Sequence, residues 1–597
     1  MTFDPHRRTV LKFSAFAGAA TLARPGMAFA PMATGGNAAP LLAELGYSQV
    51  KLTGPLDDQG REALRLLMGM DENALLKPFR VREGLPAPGE ELPGWYGTYA
   101  FAPGANFGQW VSGLARYYAI TRDEDTRAKL GRLVKGYADT VGPEGKFYRD
   151  NRFPSYTYDK LVGAMIDARR LANDGHALAA LKRTNQAALP YLPAHAVPRN
   201  EHALAGEDFS QHAWDESYTI PENQFLAWRL TGDPLHRRLG QRFLYDDFFG
   251  PLARGHNVLP GKHAYSHVNA LSSAAQAYAT LGDARYLAAA RHGFDFVDAQ
   301  SFATGGWGPD EHFVQPGTGA LATSLVKEHK SFETPCGSYA HFKLTRYLLR
   351  TTGDARYGDS MERVMYNTIL GAKNIQADGH AFYYSDYTRQ AEKTFHPDHW
   401  PCCSATLPIV AADYRISTYF RDAKGLYVNL YVPGEVTWRQ GGNDARLAVA
   451  TGYPYNSAIA ITVGTATPQT FALRLRIPAW AEGASLRVNG KPVSATPGSF
   501  AQIQREWRNG DRIELELPLA MRLQVIEDGH DESVALLAGP LVLMRLIEDG
   551  SLATTRRDLL MAKESGRGEW RLPDGGRMLT FPDITDQRYR TYQDVAG

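Results

Sequence analysis

Five short turns of similar composition divide much of this chain into helical hairpins, and they constrain its fold more than any other feature. Glycine suits the left-handed residue that ends a helix, and the aspartate found in each turn is suited to capping the next helix. Successive turns are roughly 50–70 residues apart, as in a repeated helical unit. The turns are Thr121-Arg122-Asp123, Asn173-Asp174-Gly175, Thr231-Gly232-Asp233, Leu281-Gly282-Asp283 and Thr352-Gly353-Asp354.

The segments beside these turns have the apolar spacing of amphipathic helices. Leu344 and Leu348 precede the last turn, and Met361 and Met365 follow it, so each pair is separated by one helical turn. Repeated helical hairpins over residues 31–424 predict a closed (α/α)6 toroid. An open solenoid is the alternative, although the segments between the turns are long and irregular for one.

After residue 425 the apolar pattern changes to alternation, which is typical of half-buried strands. Residues 426–432 (LYVNLYV), 471–477 (FALRLRI) and 512–517 (RIELEL) alternate in this way, and Asn489-Gly490 and Asn509-Gly510 are hairpin-turn signals. We therefore predict an α+β multidomain protein with an antiparallel β-sandwich over residues 425–545. A β- and turn-rich segment completes the chain over residues 546–597.

The N-terminal 30 residues predict export. Residues 6–12 (HRRTVLK) resemble a twin-arginine motif, residues 13–22 are apolar and Ala-rich, and Ala28-Phe29-Ala30 resembles a cleavage site. The apolar run is too short for a membrane anchor. We expect a periplasmic or secreted protein without membrane anchoring after the signal is removed. An uncleaved N-terminal helix is the alternative.

The charge balance argues against a nucleic-acid partner. The chain has 65 Lys and Arg residues against 64 Asp and Glu residues, a formal net charge of +1. Nucleic-acid-binding proteins normally carry a basic excess or a basic stripe.

The chain has three cysteines, Cys336, Cys402 and Cys403. A disulfide-stapled scaffold needs more cysteines than this and normally has an even number of them. One interpretation is a disulfide between Cys336 and either of the adjacent pair, with one thiol left over. The other is a metal site in which the three thiolates and the Glu333 carboxylate form a tetrahedral set suited to zinc. The spacing alone leaves both open.

Glu311 lies in a Gly-rich segment with aromatic neighbours, residues 305–313 (GGWGPDEHF). A carboxyl group in such a loop is a candidate general acid. A solvated loop glutamate is the alternative.

Several motifs occur in the same order as in glycoside hydrolase family 127 and its relative family 146, the β-L-arabinofuranosidases, and the sequence resembles these families over roughly residues 90–545. Each motif alone is weak evidence for a relationship, but the shared order of the motifs over most of the chain is strong evidence for homology. They are GQWVS (108–112), YTYDK (156–160), GKHA (261–264), GGWGPDEHF (305–313), ETPC (333–336), KLTR (343–346), a Glu362 and Tyr366-Asn367 pair, WPCC (400–403), IPAW (477–480) and VNG (488–490).

The resemblance implies a retaining, exo-acting glycoside hydrolase that uses zinc and acts on an oligosaccharide or a glycan side chain. Cys402 matches the family's nucleophile, and Glu311 matches its general acid/base. Glu333, Cys336 and Cys403 match the zinc ligands, with Cys402 on or near the metal. A thiolate and one carboxylate then replace the usual carboxylate pair. The near-zero net charge favours a neutral glycan over a uronate.

The sequence also departs from the family pattern, which bears on the substrate. The ETPC motif is one residue longer than the family's E-x-C, while Asp159 and Gln109 replace histidines. A hydrolase of the same clan acting on a different sugar is therefore one alternative. A polysaccharide lyase with this architecture and a catalytically inactive sugar-binding protein are the others. The predicted substrate contacts are Trp110, Asp159, His263, Glu362 and Tyr384.

Overall fold

A computed structural model describes residues 39–198, 215–327, 329–547 and 553–596. The predicted export signal, residues 1–30, lies outside the described residues. Within them, no helix combines the length and the apolar character needed to cross a membrane.

Helices dominate the chain up to residue 418. They are α1 (Pro55–Gly69), α2 (Glu72–Glu83), α3 (Phe107–Thr121), α4 (Glu124–Thr140), α5 (Lys146–Arg149), α6 (Pro154–Ala172), α7 (Ala177–Ala188), α8 (Pro221–Thr231), α9 (Pro234–Arg242), α10 (Asp246–Ala253), α11 (Ala264–Leu281), α12 (Ala284–Asp298), α13 (Ala320–Ser324), α14 (Thr334–Thr352), α15 (Arg356–Asn367) and α16 (Cys403–Thr418). A last short helix, α17 (Arg556–Leu560), lies near the C-terminus.

The longer helices form a closed double ring. The inner ring runs α3, α6, α8, α11, α14 and α16, each packed against the next, and α16 packs back against α3. Helices α4, α7, α9, α12 and α15 form the outer layer, each against the inner helix that precedes it, and α1 packs outside α16. This closure confirms the predicted toroid, and an open solenoid is excluded because the ends of the inner ring meet.

The five predicted turns join inner helices to outer helices. Gly232, Gly282 and Gly353 end α8, α11 and α14 in the left-handed conformation, and Arg122 and Asn173 do the same after α3 and α6. Five of the six inner helices, α3, α6, α8, α11 and α14, therefore end where a turn leads outward, so these five run in the same direction. Their N-terminal ends consequently converge at the opposite mouth of the ring.

Two sheets follow the toroid and share a core. The described residues give a five-stranded sheet of order β1-β5-β6-β10-β13 and a seven-stranded sheet of order β12-β11-β14-β9-β8-β7-β2. The rings of Trp438 and Phe471, one from each sheet, pack edge to face at 5.5 Å. The strands are β1 (Ala43–Glu44), β2 (Val50–Leu52), β5 (Tyr419–Arg421), β6 (Gly425–Val428), β7 (Gly434–Gln440), β8 (Asn443–Thr451), β9 (Ala458–Thr465), β10 (Gln469–Ile477), β11 (Ser485–Val488), β12 (Lys491–Val493), β13 (Ser499–Trp507) and β14 (Arg512–Glu516). A small separate pair, β3 (Phe332–Glu333) and β4 (Tyr384–Ser385), lies in the toroid.

The order of these strands differs in detail from the sequence prediction. Strands β1 and β2 precede the helices in the chain but pair with β5 and β7 of the sandwich. Strand β6 is parallel to β10, so the sandwich is mixed and not purely antiparallel. The chain enters β6 through a hairpin from β5, and β6 lies between β5 and its parallel neighbour β10.

A third sheet combines the end of the predicted sandwich with the C-terminal segment. Strand β16 pairs with β15, β17 and the C-terminal β23, so the predicted division at residue 545 cuts through one sheet. The apolar pattern of a strand does not show which distant strand it pairs with, so the boundary of this sheet could not be predicted from the sequence. The strands are β15 (Met521–Val525), β16 (Ser533–Ala538), β17 (Leu541–Leu546), β18 (Thr554–Thr555), β19 (Lys563–Gly566), β20 (Glu569–Arg571), β21 (Arg577–Thr580), β22 (Tyr589–Arg590) and β23 (Gln593–Ala596).

Glu362 joins the toroid to the sheets, which corrects its prediction as a sugar contact. Its side chain is 1% exposed and accepts hydrogen bonds from Arg476 (2.7 Å), Tyr453 (2.6 Å) and Trp480 (3.2 Å). The partners come from the sandwich and the loops that follow its strands. A carboxylate so enclosed stabilises the domain interface and cannot reach a substrate.

Candidate active site and metal centre

The three cysteines meet at the mouth where the inner helices begin. Cys336 is in the first turn of α14, Cys403 is the first residue of α16, and Cys402 is the N-cap of α16. Helix N-termini present unpaired N–H groups and a positive partial charge. This end of the ring is therefore suited to thiolates and carboxylates.

The sulfur atoms lie close together without being bonded. The Cys336 sulfur is 3.3 Å from the Cys402 sulfur and 3.5 Å from the Cys403 sulfur, and all three thiols are free and buried. A disulfide has an S–S distance of about 2.05 Å. The arrangement corresponds to the metal-site interpretation of the cysteines and not to the disulfide interpretation.

Glu333 completes the cluster. Its Oε1 atom is 3.2 Å from the Cys402 sulfur and 3.8 Å from the Cys403 sulfur. Strand β3 carries Glu333 and pairs with β4, and Thr334 bonds to Ser385 of β4 at 2.6 Å. Because this pairing fixes Glu333 just before α14, the extra residue in the ETPC motif does not remove it from the cluster.

The donor set fits a tetrahedral metal ion. The ligand atoms of Glu333, Cys336, Cys402 and Cys403 all lie within 4.8 Å of one another, and all four residues are buried. Zn–S bonds of about 2.3 Å and Zn–O bonds of about 2.0–2.2 Å need donors at such separations. The second oxygen of Glu333, Oε2, is buried and has no hydrogen-bond partner among the described residues. Burial raises the pKa of the Glu333 carboxyl well above its usual value, and a buried polar oxygen without a partner is costly unless a cation binds it.

The electrostatics single out Cys402 among the thiols. Burial alone raises the pKa of the Cys402 thiol, but hydrogen bonding with Cys336, Cys403 and Tyr383 outweighs it and holds that pKa well below its usual range. Burial raises the pKa of the Cys336 and Cys403 thiols. The thiolate is the nucleophilic form of cysteine. The direction of these shifts favours the thiolate form at Cys402 over the other two thiols.

A strained turn places Cys402. Trp400 has a φ of 52°, in the left-handed region that side chains rarely adopt. The Asn106 side-chain amide donates to the carbonyls of Trp400 (2.8 Å) and Pro401 (3.1 Å) and so holds the turn. The N-terminal end of α3 thus supports the N-terminal end of α16.

Trp110 supports the same turn, which corrects its prediction as a substrate contact. It is 1% exposed, its ring packs edge-on against Trp400 at 5.6 Å, and its Nε1–H donates to the Ser404 carbonyl at 3.1 Å. A tryptophan with both its ring and its N–H committed inside the protein is not available to a sugar.

Glu311 lies beside Glu333 of the cysteine cluster, on a strained loop. Asp310 and Glu311 have φ values of 51° and 60°, following Gly308 at 72°. The Glu311 side chain is 15% exposed, and its carboxylate oxygen lies within 4.8 Å of a Glu333 carboxylate oxygen. This carboxyl group is therefore partly buried at the cluster and is not the solvated loop glutamate of the alternative interpretation.

Tyr384 and His263 hold the Glu311 carboxylate from two directions. The Tyr384 hydroxyl donates to Glu311 Oε1, and His263 Nε2 lies 3.4 Å from Glu311 Oε2. His263 also caps α11 by accepting from the Ser266 N–H at 3.4 Å. The two residues predicted as sugar contacts thus lie at the candidate acid/base, where they orient it.

Asp159 lines the axial cavity and is not a member of the cysteine cluster. Its Oδ1 accepts from the Asn223 side chain at 2.9 Å, and it lines a cavity of about 360 Å³ on the toroid axis together with Gln109, Glu222 and Lys343. Burial raises the pKa of Asp159 to about 6. Its predicted role as a substrate contact stays a prediction, because the structure places the side chain with this axial cavity and not with the cluster.

Two residues near the site were not identified from the sequence. Tyr383 lies 3.4 Å from the Cys402 sulfur, and Lys160 is buried with its ammonium 3.4 Å from the centre of the Tyr156 ring. Both are direct neighbours of predicted residues, Tyr384 and Asp159. Successive residues of a strand or helix have side chains on different faces, so the sequence does not show which of two adjacent residues contacts the cluster. Only the tertiary structure shows it.

A row of aromatic side chains extends outward from Tyr383, which contacts the Cys402 sulfur. The ring of Tyr383 lies 4.8 Å from that of His396 and 6.2 Å from that of Trp95, and Trp95 lies 4.8 Å from Phe101. Trp95 and Phe101 are partly exposed. Such a wall presents flat apolar faces with a few polar edges, which suits the C–H face of a sugar ring.

Comparison with known proteins agrees with this geometry. Residues 49–414 match the family model described as the catalytic domain of GH127 beta-L-arabinofuranosidase, and residues 425–519 match the model of its middle domain. No curated protein matches the sequence at a significant level.

Solved structures share the fold over almost the whole chain. A GH127 beta-arabinofuranosidase superposes with a TM-score of 0.72 at 16% identity, covering 94% of this chain and 99% of that one. A GH127 beta-L-arabinofuranosidase from Geobacillus stearothermophilus T6 gives 0.67 at 18% identity, covering 92% and 100%. A structure described as a glycoside hydrolase gives 0.66 at 17% identity, covering 94% and 98%.

Proposed function

The chain belongs to the GH127 beta-L-arabinofuranosidase family and is a glycosidase, and on that premise we propose that it is a retaining, exo-acting enzyme whose nucleophile is the Cys402 thiolate. The observation that carries the proposal is the placement of Cys402. Its sulfur lies among Cys336, Cys403 and Glu333, its pKa is depressed, and the Glu311 carboxylate lies beside the same cluster.

In the first step, the Cys402 sulfur attacks the anomeric carbon and forms a C–S bond while the glycosidic C–O bond breaks. Glu311 donates its proton to the departing oxygen, which leaves as the aglycone hydroxyl. Tyr384 and His263 fix the orientation of the Glu311 carboxyl during this transfer. The sugar is then held as a thioglycoside on Cys402.

In the second step, Glu311 acts as a base. It removes a proton from water, the water oxygen attacks the anomeric carbon, and the C–S bond breaks to regenerate the Cys402 thiolate. Two displacements at the same carbon return the original configuration. Glu311 ends the cycle protonated, as it began.

Glu333, Cys336, Cys402 and Cys403 are the residues that would hold zinc. Bound there, the ion supplies positive charge that keeps the buried thiolates deprotonated at neutral pH. The chain itself fixes the ligands through the N-terminal ends of α14 and α16 and through the β3–β4 pair.

We propose a β-L-arabinofuranoside as the substrate, bound against the aromatic wall of Trp95, Phe101, Tyr383 and His396. A second candidate is a different sugar handled by the same residues. It is favoured by Asp159 and Gln109, which replace family histidines and line the axial cavity. A panel of nitrophenyl furanosides and pyranosides separates the two, because the released sugar is identified directly.

Trapping the intermediate tests the mechanism. Glu311→Gln should still react with a nitrophenyl glycoside, whose leaving group needs little protonation, but should release the sugar slowly. Intact-mass analysis should then show one sugar attached, and peptide mapping should place it on Cys402. Asp310→Asn, at the exposed neighbouring carboxylate, is the matched control and should accumulate no adduct. An adduct on Glu333, or none with Glu311→Gln during active turnover, would contradict a Cys402 nucleophile.

We also propose that the chain is exported through its twin-arginine-type N-terminus. This route carries folded proteins, so zinc would be loaded on reduced thiols before export. Replacing Arg7-Arg8 with Lys-Lys should retain the protein in the cytoplasm with the precursor mass, whereas unchanged periplasmic or extracellular recovery would argue against the route.

A further inference from the structure

A second group of metal-ligating side chains lies apart from the cysteine cluster. Asp378, His380 and His399, the histidine cluster, have ligand atoms within 4.8 Å of one another. Asp378 and His380 belong to a tight turn in which the N–H of Gln376 donates to the His380 carbonyl at 2.9 Å. His399 lies in the segment that leads to Cys402. The rings of His380 and His399 are 4.0 Å apart between centroids.

Both imidazoles are oriented by their Nδ1 atoms. His380 Nδ1 is 2.9 Å from the Asp378 carboxylate, and His399 Nδ1 is 2.8 Å from the Asp378 carbonyl oxygen. A carbonyl oxygen only accepts, and an ionised carboxylate only accepts, so each Nδ1 carries the proton. In the neutral form of each ring, Nε2 then holds the lone pair that a metal ion can take. Metal-binding histidines are typically held in this way, with the other ring nitrogen donating to a carboxylate or carbonyl.

The two Nε2 atoms have no protein partner among the residues that the structure describes. Both histidines are partly exposed, and the His380 side chain is 31% exposed, so an ion can reach them from solvent. The two imidazole nitrogens form an N2 donor set, with Asp378 as the hydrogen-bond partner behind both rings. Imidazole nitrogen selects zinc, nickel and copper over magnesium and calcium, which prefer oxygen ligands.

We propose that His380 and His399, oriented by Asp378, bind a divalent transition-metal ion of the zinc, nickel and copper class, at a second site without sulfur ligands. The Nε2 atoms of the two histidines are the ligands, and Asp378 holds both rings from the Nδ1 side through its carboxylate and its carbonyl oxygen. Water completes the coordination, because the cluster faces solvent.

The position of this site gives it a structural consequence for the nucleophile. The N–H of Trp400 donates to the Gly379 carbonyl at 2.9 Å, and the N–H of Trp95 donates to the His399 carbonyl at 3.0 Å. A side chain at Gly379 would lie 2.4 Å from the Trp400 ring, so the turn and the segment are in close contact. An ion joining His380 to His399 cross-links the turn to the segment three residues before Cys402.

Metal stoichiometry tests the proposal on the full chain. The zinc-loaded protein is dialysed to equilibrium against buffered zinc chloride, and bound zinc per chain is measured by elemental analysis. We expect the wild type to bind one more zinc than His380→Ala. His530→Ala is the matched control, because His530 also bonds a carboxylate two residues away, that of Glu532, and belongs to none of the metal-ligating groups found among the described residues.

Three further results complete the test. Asp378→Asn should weaken the extra zinc by roughly 10–100-fold while leaving its stoichiometry recoverable at high zinc. Nickel chloride should bind the wild type and not His380→Ala in a calorimetric titration. Equal zinc content and equal nickel binding in the wild type and His380→Ala would overturn the proposal. Each comparison is a difference in bound zinc between two variants. If the cysteine site failed to bind zinc, the zinc content of the wild type and of the variants would fall by the same amount, so that failure is distinguishable from a failure of the second site.

Discussion

The sulfur atoms of Cys402 and Cys336 lie 3.3 Å apart although 66 residues separate them in the chain. They meet because α14 and α16 are neighbouring inner helices whose N-terminal ends open on the same mouth of the ring. Glu333, at the start of α14, and Cys403, at the start of α16, lie at the same end of these two helices. The cluster is therefore a direct product of the toroid topology.

Cys402→Ser should lower kcat by about 10³-fold or more, because a serine hydroxyl at this position is not ionised and is a poor nucleophile. The change replaces one sulfur with oxygen, so the far-ultraviolet circular dichroism should be unchanged. Turnover is measured with the nitrophenyl glycoside that the wild type prefers. Activity within tenfold of the wild type would rule out the thiolate as nucleophile.

Removing the metal should abolish activity and lower Tm by roughly 5 °C or more, because bound metal stabilises the folded state by mass action and its removal leaves buried ligands unpaired. A strong zinc chelator is applied under reducing conditions, and Tm is followed by differential scanning calorimetry. Zinc chloride added back should restore both quantities, and magnesium chloride should restore neither. Full activity in a preparation shown to lack metal would contradict a zinc-dependent site.

Tyr384→Phe should lower kcat by about 10–100-fold with a small change in KM, because the hydroxyl that orients the Glu311 carboxyl is lost while the ring stays. Substrates with poor leaving groups should suffer most, since they depend on proton donation. Tyr455→Phe, which removes a hydroxyl bonded to Asp583 away from the site, is the control. An equal loss for all leaving groups would instead indicate a binding defect.

Glu362→Ala should destabilise the protein by about 3 kcal/mol, because it leaves the buried Arg476 guanidinium with fewer partners at the interface between the toroid and the sheets. Urea unfolding measures the change. The folded fraction should retain a KM close to that of the wild type. A large rise in KM with little loss of stability would instead indicate that Glu362 contacts the substrate.

The buried Glu216 should make stability depend on pH. Burial raises its pKa from 4.5 to about 8, so the folded state keeps a proton that the unfolded state has already lost. This contribution to stability is therefore complete below about pH 4.5 and is lost as the pH rises through 8, by roughly 5 kcal/mol in all. Glu216→Gln, which stays neutral, should flatten the urea-unfolding profile over this window. Glu124→Gln, at an exposed helix position, should leave the profile unchanged.

Much of the candidate site was predictable because short motifs carry it. Cys402, Cys403, Glu333 and Cys336 lie in two four-residue stretches, and Glu311 lies in a distinctive Gly-rich loop. Trp110 and Glu362 were misassigned as sugar contacts for one physical reason. Polar or aromatic residues that support a site or a domain interface carry the same chemistry in the sequence as those that contact a substrate. Only their burial distinguishes them, at 1% exposure each.

The helical hairpins could be predicted from the amino-acid sequence because turn chemistry and apolar spacing are local properties, and the turns at Gly232, Gly282 and Gly353 fall where inner helices end. The change to strands after residue 425 could be predicted from it as well. Tertiary structure alone decided how the strands of the third sheet pair, that Tyr383 rather than Asp159 reaches the Cys402 sulfur, and that His380 lies beside His399. Those relationships depend on which face of an element is turned inward and on contacts between distant segments, and neither is written in local periodicity.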